Sequence, residues 1–99
     1  MRVKLSPEAA EEMIEAANWY DTREPGLGGE FLHACDEAFQ FIETAPLRHR
    51  HVGRGFRRYL MKRFPFAVFY ETQGDLLIIA AVFHGARNPA HWQKRLGLK

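Results

Sequence analysis

The sequence predicts an α+β fold in which a helical hairpin packs on a small antiparallel sheet. Two helical patterns occupy the first half of the chain, where apolar residues recur every three or four positions. Three strand-like segments follow in the second half, and the last of them is apolar at nearly every position. Helices that are grouped apart from strands are typical of α+β proteins rather than of alternating α/β folds. Residues 1–99 are expected to form one domain around one core.

The first half supplies the opening β-α-α part of the predicted order β-α-α-β-β-β. Arg2–Leu5 is a short strand candidate. Ser6 and Pro7 follow it, and a serine N-cap with proline in the first helical position is typical of a helix start. A glycine-rich turn at residues 24–29 separates this helix from a second one, which Pro46 ends. The short turn predicts that the two helices run antiparallel.

The second half is predicted to be a three-stranded meander that follows a basic loop at Leu47–Gly55. The predicted strands are residues 56–63, 66–72 and 76–84. Because Leu76–Phe83 is apolar on both faces, it is expected to be an interior strand that is covered on both sides. Asn88 can cap a short terminal helix at residues 90–96, with Pro89 in its first position.

Charge divides the chain into an acidic part and a basic part. Residues 1–43 contain 3 basic and 10 acidic side chains, whereas residues 44–99 contain 11 basic and 2 acidic ones. The net charge of +2 therefore conceals a strong asymmetry. Such asymmetry indicates an acidic or polyanionic partner.

Several kinds of protein are disfavoured by the composition. The longest apolar run is too short to cross a bilayer, and the N-terminal residues lack a signal-peptide pattern. The single cysteine, Cys35, leaves no internal disulfide and fits the reducing cytoplasm. His49 and His51 stand two residues apart with no Cys or acidic cluster beside them, so neither a metal site nor a cofactor is expected.

Two groups of side chains do not fit a simple core. On the strand at residues 56–63, Arg58 and Lys62 share one face and Arg57 the other, so one set must lie at an edge or in an open groove. Trp19 and Phe41 lie off the main apolar stripes of the two helices. They either complete the core or form an exposed docking patch for a partner helix.

Three segments of the second half resemble, in their order and spacing, the signature of a known superfamily. They are Arg57–Leu60 (RRYL), Phe64–Tyr70 (FPFAVFY) and Ala81–Pro89 (AVFHGARNP). Together with the helical hairpin before them, they resemble the RelE/ParE superfamily of bacterial toxins from type II toxin–antitoxin modules. Within it the chain is most similar to the ParE-like, plasmid-stabilisation branch. The resemblance covers nearly the whole chain and implies the fold predicted above.

The resemblance implies a small cytoplasmic toxin that a cognate antitoxin, itself carrying a small acidic segment, neutralises in a hetero-oligomeric complex. ParE-like toxins are expected to inhibit DNA gyrase by protein–protein contact, without a reaction of their own. We expect the contacts with the target or the antitoxin to come from cations and one tryptophan, namely Arg57, Arg58, Lys62, Arg87 and Trp92.

The RelE branch implies a different activity, the cleavage of mRNA on the ribosome. That reaction needs a group that activates the 2′-hydroxyl, cations for the developing phosphorane charge and a proton donor. Where the RelE pattern has an arginine, this chain has Ala67, and Trp92 stands near the expected tyrosine. A ribonuclease would therefore have to use His84, Arg87 and His91. A non-toxic nucleic-acid-binding module is a further alternative, which leaves the acidic hairpin unexplained.

Overall fold

The computed structural model describes residues 1–98, so Lys99, the last residue of the predicted domain, lies outside the described residues. Its elements are β1 (Arg2–Leu5), α1 (Pro7–Arg23), α2 (Leu27–Thr44), β2 (Arg50–Gly53), β3 (Phe56–Leu60), β4 (Phe66–Gln73), β5 (Leu76–His84) and α3 (Pro89–Arg95). The strands form one sheet in the order β1-β5-β4-β3-β2. The predicted α+β class and helical hairpin are confirmed. The sheet is mixed rather than antiparallel throughout, because β1 runs parallel to β5.

The prediction of a basic loop at Leu47–Gly55 was wrong in part, because β2 lies within it. This strand pairs with β3, so that Arg50 lies opposite Arg58 and His51 opposite Arg57. The segment has charged and glycine residues instead of alternating apolar ones, so it carried no strand signal. Beyond Leu60, the predicted extension of β3 to residue 63 is also wrong.

Local signals explain the helical hairpin. The Ser6 hydroxyl accepts a hydrogen bond from the Ala9 N–H and caps α1, as the sequence predicts. Gly28, at the start of α2, lies directly against α1. A Cβ atom at this position would lie 2.3 Å from the Ala17 carbonyl oxygen, so only glycine fits without a shift. The Gly28 N–H also donates to Asp21 Oδ1 at 2.8 Å, which fixes the crossing of the two helices.

The sheet has an apolar layer on each face. The larger core lies between the hairpin and the sheet, where Phe31, Tyr70 and Ile79 are fully buried. On the opposite face, a smaller cluster around Phe69 is covered by α3 and the residues that follow it. The prediction of an interior strand covered on both sides is confirmed for β5. The predicted terminal helix is confirmed as α3, whose cap is the Asn88 side chain.

A charged clamp closes the edge of β5 where β1 no longer covers it. Pairing with β1 ends at Ile79. Beyond that point, Glu12 Oε1 accepts from the Val82 N–H at 2.9 Å, and Glu12 Oε2 accepts from Arg95 Nε at 3.1 Å. Arg95 also donates to the Ala80 carbonyl at 2.6 Å. The clamp joins α1, β5 and α3, and partial burial raises the pKa of Glu12.

Candidate functional site

An open groove of about 520 Å³ lies between α1 and the adjoining ends of β4 and β5. Its walls are mainly apolar, with Trp19 and Tyr20 on the helical side and Phe66 and Val82 on the sheet side. The small side chain of Ala16 lies among the lining residues on α1. A concave apolar surface of this kind is suited to binding a side chain or a helix of a partner.

Trp19 forms the outer wall of the groove and is not a core residue. Its side chain is 52% exposed, and its ring packs edge-to-face against Tyr20 with centroids 5.2 Å apart. The guanidinium of Arg23 lies 4.4 Å from the centre of the Trp19 ring. Of the two interpretations open for Trp19, the structure favours the exposed docking patch.

Arg87 lies at the mouth of the groove, three residues beyond the end of β5. Its guanidinium packs 5.0 Å from the centre of the Phe83 ring, and its backbone N–H donates to the His84 carbonyl at 3.1 Å. The side chain forms no ion pair within residues 1–98. The guanidinium is therefore held in place by packing while its donors face solvent.

The structure brings together only two of the three residues predicted for a ribonuclease. His84 lines the groove with Arg87. The Nδ1 atom of His84 accepts a hydrogen bond from the Ala86 N–H at 3.0 Å, and its ring packs against Phe66. His91 lies in α3, exposed to solvent and outside the groove lining. No pair of histidines therefore faces one substrate position in this groove.

Trp92, predicted to contact a partner, has a packing role in the structure. It lies in α3, half-buried, and its ring centroid is 4.7 Å from that of Phe69. This places Trp92 in the smaller cluster on the face of the sheet that α3 covers. A binding role for Trp92 remains a prediction.

The predicted cations of the sheet lie outside the groove beside α1. Arg57, half-buried, donates from Nη1 to the His49 carbonyl at 2.8 Å. Arg58 is also half-buried and lies opposite Arg50 across β2 and β3. Lys62 is exposed, with Nζ 5.8 Å from the centre of the Phe41 ring. None of these three groups lines the groove beside α1.

Lys62 belongs to a second exposed cluster, here called the aromatic–cationic patch and made of Phe41, Arg48, His49, Tyr59 and Lys62. Phe41 is 41% exposed, and the Arg48 guanidinium lies 4.7 Å from the centre of its ring. The ring of Tyr59 packs beside both Phe41 and His49, with centroid distances of 5.5 and 5.1 Å. Sequence reasoning assigned Arg48 and His49 to a solvated loop and missed this cluster. The position of Phe41, off the apolar stripe of α2, was the only signal for it.

His49 is the least satisfied polar group of the patch. Its Nε2 atom is buried without a hydrogen-bond partner among residues 1–98. Burial, and then the nearby charges of Arg48 and Arg57, lower the pKa of His49. The neutral imidazole is therefore favoured at neutral pH, and the two arginines provide the positive charge.

Three other kinds of site can be assessed within residues 1–98. Cys35 is fully buried, and burial raises the pKa of its thiol to about 12, so it is a core residue rather than a nucleophile. Over this part of the chain, no three His, Cys, Asp or Glu side chains are grouped as a metal site would require. None of the described helices combines the length and the apolarity needed to span a membrane.

The fold and its exposed groove can be compared with known proteins. The structure is similar to a solved chain described as "Chromosomal ParDE TA system from P. aeruginosa", with a TM-score of 0.76 and 16% sequence identity. The match covers 85% of this chain and 95% of that chain. At this identity it shows a shared fold. No curated protein matches the sequence.

The family is established by the sequence itself. The model for the ParE toxin of the type II toxin-antitoxin system, parDE, matches residues 3–89. The chain therefore belongs to the ParE toxin family, which confirms the resemblance seen in the sequence. The matched range includes the groove and Arg87, and it ends at the first residue of α3.

Proposed function

We propose that this toxin inhibits DNA gyrase by protein–protein contact through the groove beside α1, and that a cognate antitoxin neutralises it by binding in the same groove. Membership of the ParE toxin family supports the proposal at the level of a type II toxin. The choice of gyrase as target follows the ParE-like resemblance of the sequence, and the choice of the groove follows from its geometry.

The observation that carries the proposal is the combination of Trp19 and Arg87 on one open groove. Tryptophan and arginine are among the residue types that dominate binding energies at protein interfaces. Here both are exposed, and both are held in place by packing against a neighbouring aromatic ring. The groove therefore presents two fixed anchors, which reduces the side-chain entropy that a partner's binding must offset.

The arrangement of titratable groups supports contact rather than catalysis. Acid–base cleavage of RNA requires groups placed to remove one proton and to donate another. In the groove, His84 is the only histidine among the lining residues, and the carboxylate oxygens of Glu12 are already bonded to Val82 and Arg95. The other lining carboxylate, Glu15, is exposed on α1 and forms no hydrogen bond with His84, whose Nδ1 accepts from the Ala86 N–H instead. The ribonuclease alternative is correspondingly weaker.

A supercoiling assay with purified gyrase tests the target. We expect the full-length chain to inhibit supercoiling and the antitoxin, added first, to prevent inhibition. In a parallel translation extract, we expect no site-specific mRNA cleavage. Cleavage that His84→Ala abolishes, in the absence of any effect on gyrase, would replace the proposal by the ribonuclease alternative.

Co-expression tests the antitoxin. The partner is expected to contain an acidic segment, because residues 44–99 carry 11 basic and only 2 acidic side chains. The product of the neighbouring small reading frame should co-purify with this chain as a stable complex. If the two proteins do not co-purify even at low salt, neutralisation by that partner is ruled out.

A further inference from the structure

The aromatic–cationic patch and the groove beside α1 are different surfaces with no residue in common. The groove is built from α1 and the ends of β4 and β5, whereas the patch lies on α2, β3 and the segment that leads into β2. In the sheet, β4 separates β5 from β3. A side chain bound in the groove therefore does not occupy the cleft beside the patch.

A cleft of about 300 Å³ opens beside the patch, between α2 and β3. Its apolar lining consists of Ala34, Ala38, Phe41, Tyr59 and Met61. The two alanines keep the α2 side shallow, and this leaves space next to the larger rings. An apolar side chain can enter this space and contact Phe41, which is exposed in the structure.

The cleft is lined by two cations, Lys62 and Arg63, and by one carboxylate, Glu37, which lies 3.5 Å from His33 Nε2. Further cations lie on the side of the patch. Arg48 and Lys62 both lie over the Phe41 ring, and Arg57 is bonded to the His49 carbonyl. None of these three cations has an ion pair within residues 1–98. The next cation on the rim, Arg63, is paired with Glu30. Positive potential is therefore concentrated on the patch side of the cleft.

We infer that the aromatic–cationic patch and this cleft form a second binding site, which takes an acidic protein segment that carries an apolar side chain. The apolar side chain occupies the cleft between Ala38 and Tyr59, and flanking carboxylates face Arg48 and Lys62. Packing on Phe41 restricts both cations before the ligand arrives, so less side-chain entropy is lost on binding. The inference is independent of the proposed action on gyrase, which concerns the groove.

The geometry favours a protein ligand over a nucleic acid. Single-stranded nucleic acids bind by stacking bases on open aromatic faces next to cations. In the patch, Arg48 and Lys62 lie over the Phe41 ring, and Tyr59 packs against Phe41 and His49. An apolar cleft with a cationic rim instead matches a leucine-like side chain between carboxylates.

Fluorescence anisotropy with the full-length chain tests the inference. The probe is a labelled peptide of about ten residues, with two central leucines flanked by Asp and Glu. We expect it to bind at least ~10-fold more tightly than the same peptide with serine for leucine, and ~10-fold more tightly than an oligothymidylate of equal charge. Lys62→Glu should weaken binding of the leucine peptide by ~10-fold or more, since it reverses a charge on the rim.

Matched variants distinguish binding at the patch from a general effect of net charge on the affinity for the peptide. Lys94→Glu changes the net charge equally, but on α3, and should alter the affinity by less than about twofold. Phe41→Ala should weaken peptide binding without such a charge change. Thermal unfolding shows whether each variant is folded. If Phe41→Ala does not fold, the comparison of Lys62→Glu with Lys94→Glu still tests the inference. Equal loss in both charge variants, no peptide binding, or tighter binding of the oligonucleotide would overturn the inference.

Discussion

The groove and the aromatic–cationic patch each have an arginine packed on an exposed aromatic ring, in different surroundings. In each, an exposed aromatic ring is capped by an arginine, at 4.4 Å for Trp19 and Arg23 and at 4.7 Å for Phe41 and Arg48. In the groove, the lining is apolar with Glu12 and Glu15 nearby. In the patch, a second cation, Lys62, lies 5.8 Å from the centre of the Phe41 ring. An arginine packed on an aromatic ring therefore does not by itself determine which kind of ligand binds. The neighbouring charges and the shape of the adjacent cavity determine it.

The two surfaces should consequently differ in how salt affects them. Binding in the groove depends mainly on apolar contact with Trp19 and on one arginine, Arg87. Binding at the patch depends on several exposed cations, whose interactions salt screens over about 8 Å at physiological ionic strength. We therefore expect binding at the patch to be more sensitive to salt than binding in the groove.

The largest expected effect is that of Arg87→Ala. Removing the guanidinium from the mouth of the groove should abolish toxicity and gyrase inhibition, because lysine or alanine cannot replace its planar fork. Since the side chain is exposed, the melting temperature should shift by no more than about a few degrees. Growth assays and thermal unfolding measure the two quantities. A variant that unfolds, or one that stays fully toxic, would remove Arg87 from the functional surface.

Truncation of the groove wall comes next. Trp19→Ala should weaken antitoxin binding by about 30- to 100-fold, as expected for a tryptophan anchor worth about 2–3 kcal/mol. Ile14→Ala is the matched control, because Ile14 is an exposed apolar residue of α1 that lies outside the groove lining. Calorimetric titration of both variants measures the difference. Equal losses would mean that the partner covers α1 without using the groove.

The clamp beneath the groove should affect stability more than binding. Glu12→Ala leaves the Val82 N–H and the Arg95 guanidinium without their partner, which should lower the free energy of unfolding by about 1–3 kcal/mol. Glu15 is an exposed carboxylate on the same helix, so Glu15→Ala should change the free energy of unfolding by less than about 0.5 kcal/mol. Urea unfolding followed by circular dichroism compares the two. A similar small change in both variants would contradict the role of the clamp.

Salt distinguishes the two surfaces directly. Raising the salt concentration from about 50 mM to 500 mM should lower the affinity of the acidic peptide for the patch by ~10-fold, because each ion pair that the peptide forms there is exposed and screened. Antitoxin binding in the groove should change less over the same range. The measurement is a pair of titrations at each salt concentration, and parallel losses at both surfaces would remove the distinction drawn here.

The smallest effect concerns the pH dependence at His49. Its pKa is lowered below the ordinary value of 6.5, so below about pH 6.5 the unfolded chain binds this proton more readily than the folded chain. The stability that neutral His49 contributes is therefore complete above pH 6.5, the pKa in the unfolded chain. It is lost as the pH falls through the lower pKa of His49 in the folded chain. His49→Gln should reduce this loss by less than about 1 kcal/mol in urea unfolding between pH 7 and 5. His33→Gln, at an exposed position of α2, is the control.

Much of the fold follows from local signals in the sequence. The bounds of β5 agree with the prediction because its apolar run ends at a glycine and begins after a tight turn at Gly74. The hairpin follows from the helix periodicity and the glycine-rich turn. By contrast, β2 is an edge strand stabilised by pairing with β3 rather than by its own residues, so no local pattern identified it.

The candidate surfaces were less predictable, because they depend on contacts between distant parts of the chain. Arg87 and Trp19 were identified singly, from a family resemblance and from helix periodicity, but their common groove depends on how α1 crosses the sheet. The carboxylate of Glu12 accepts a hydrogen bond from the Val82 N–H, 70 residues away, which no local pattern indicates. Ile14, an apolar residue of α1, is 56% exposed. Tertiary packing determines all of these positions.

The most direct test of the central claim, inhibition by contact rather than by a reaction, is a titration of gyrase with this chain at a gyrase concentration well above the dissociation constant. If the chain inhibits gyrase by contact, the remaining supercoiling activity should fall in proportion to the added chain and reach its limit near a fixed molar ratio. Longer incubation should not change this result. Progressive inactivation by a small fraction of an equivalent would show turnover. That result would contradict the account.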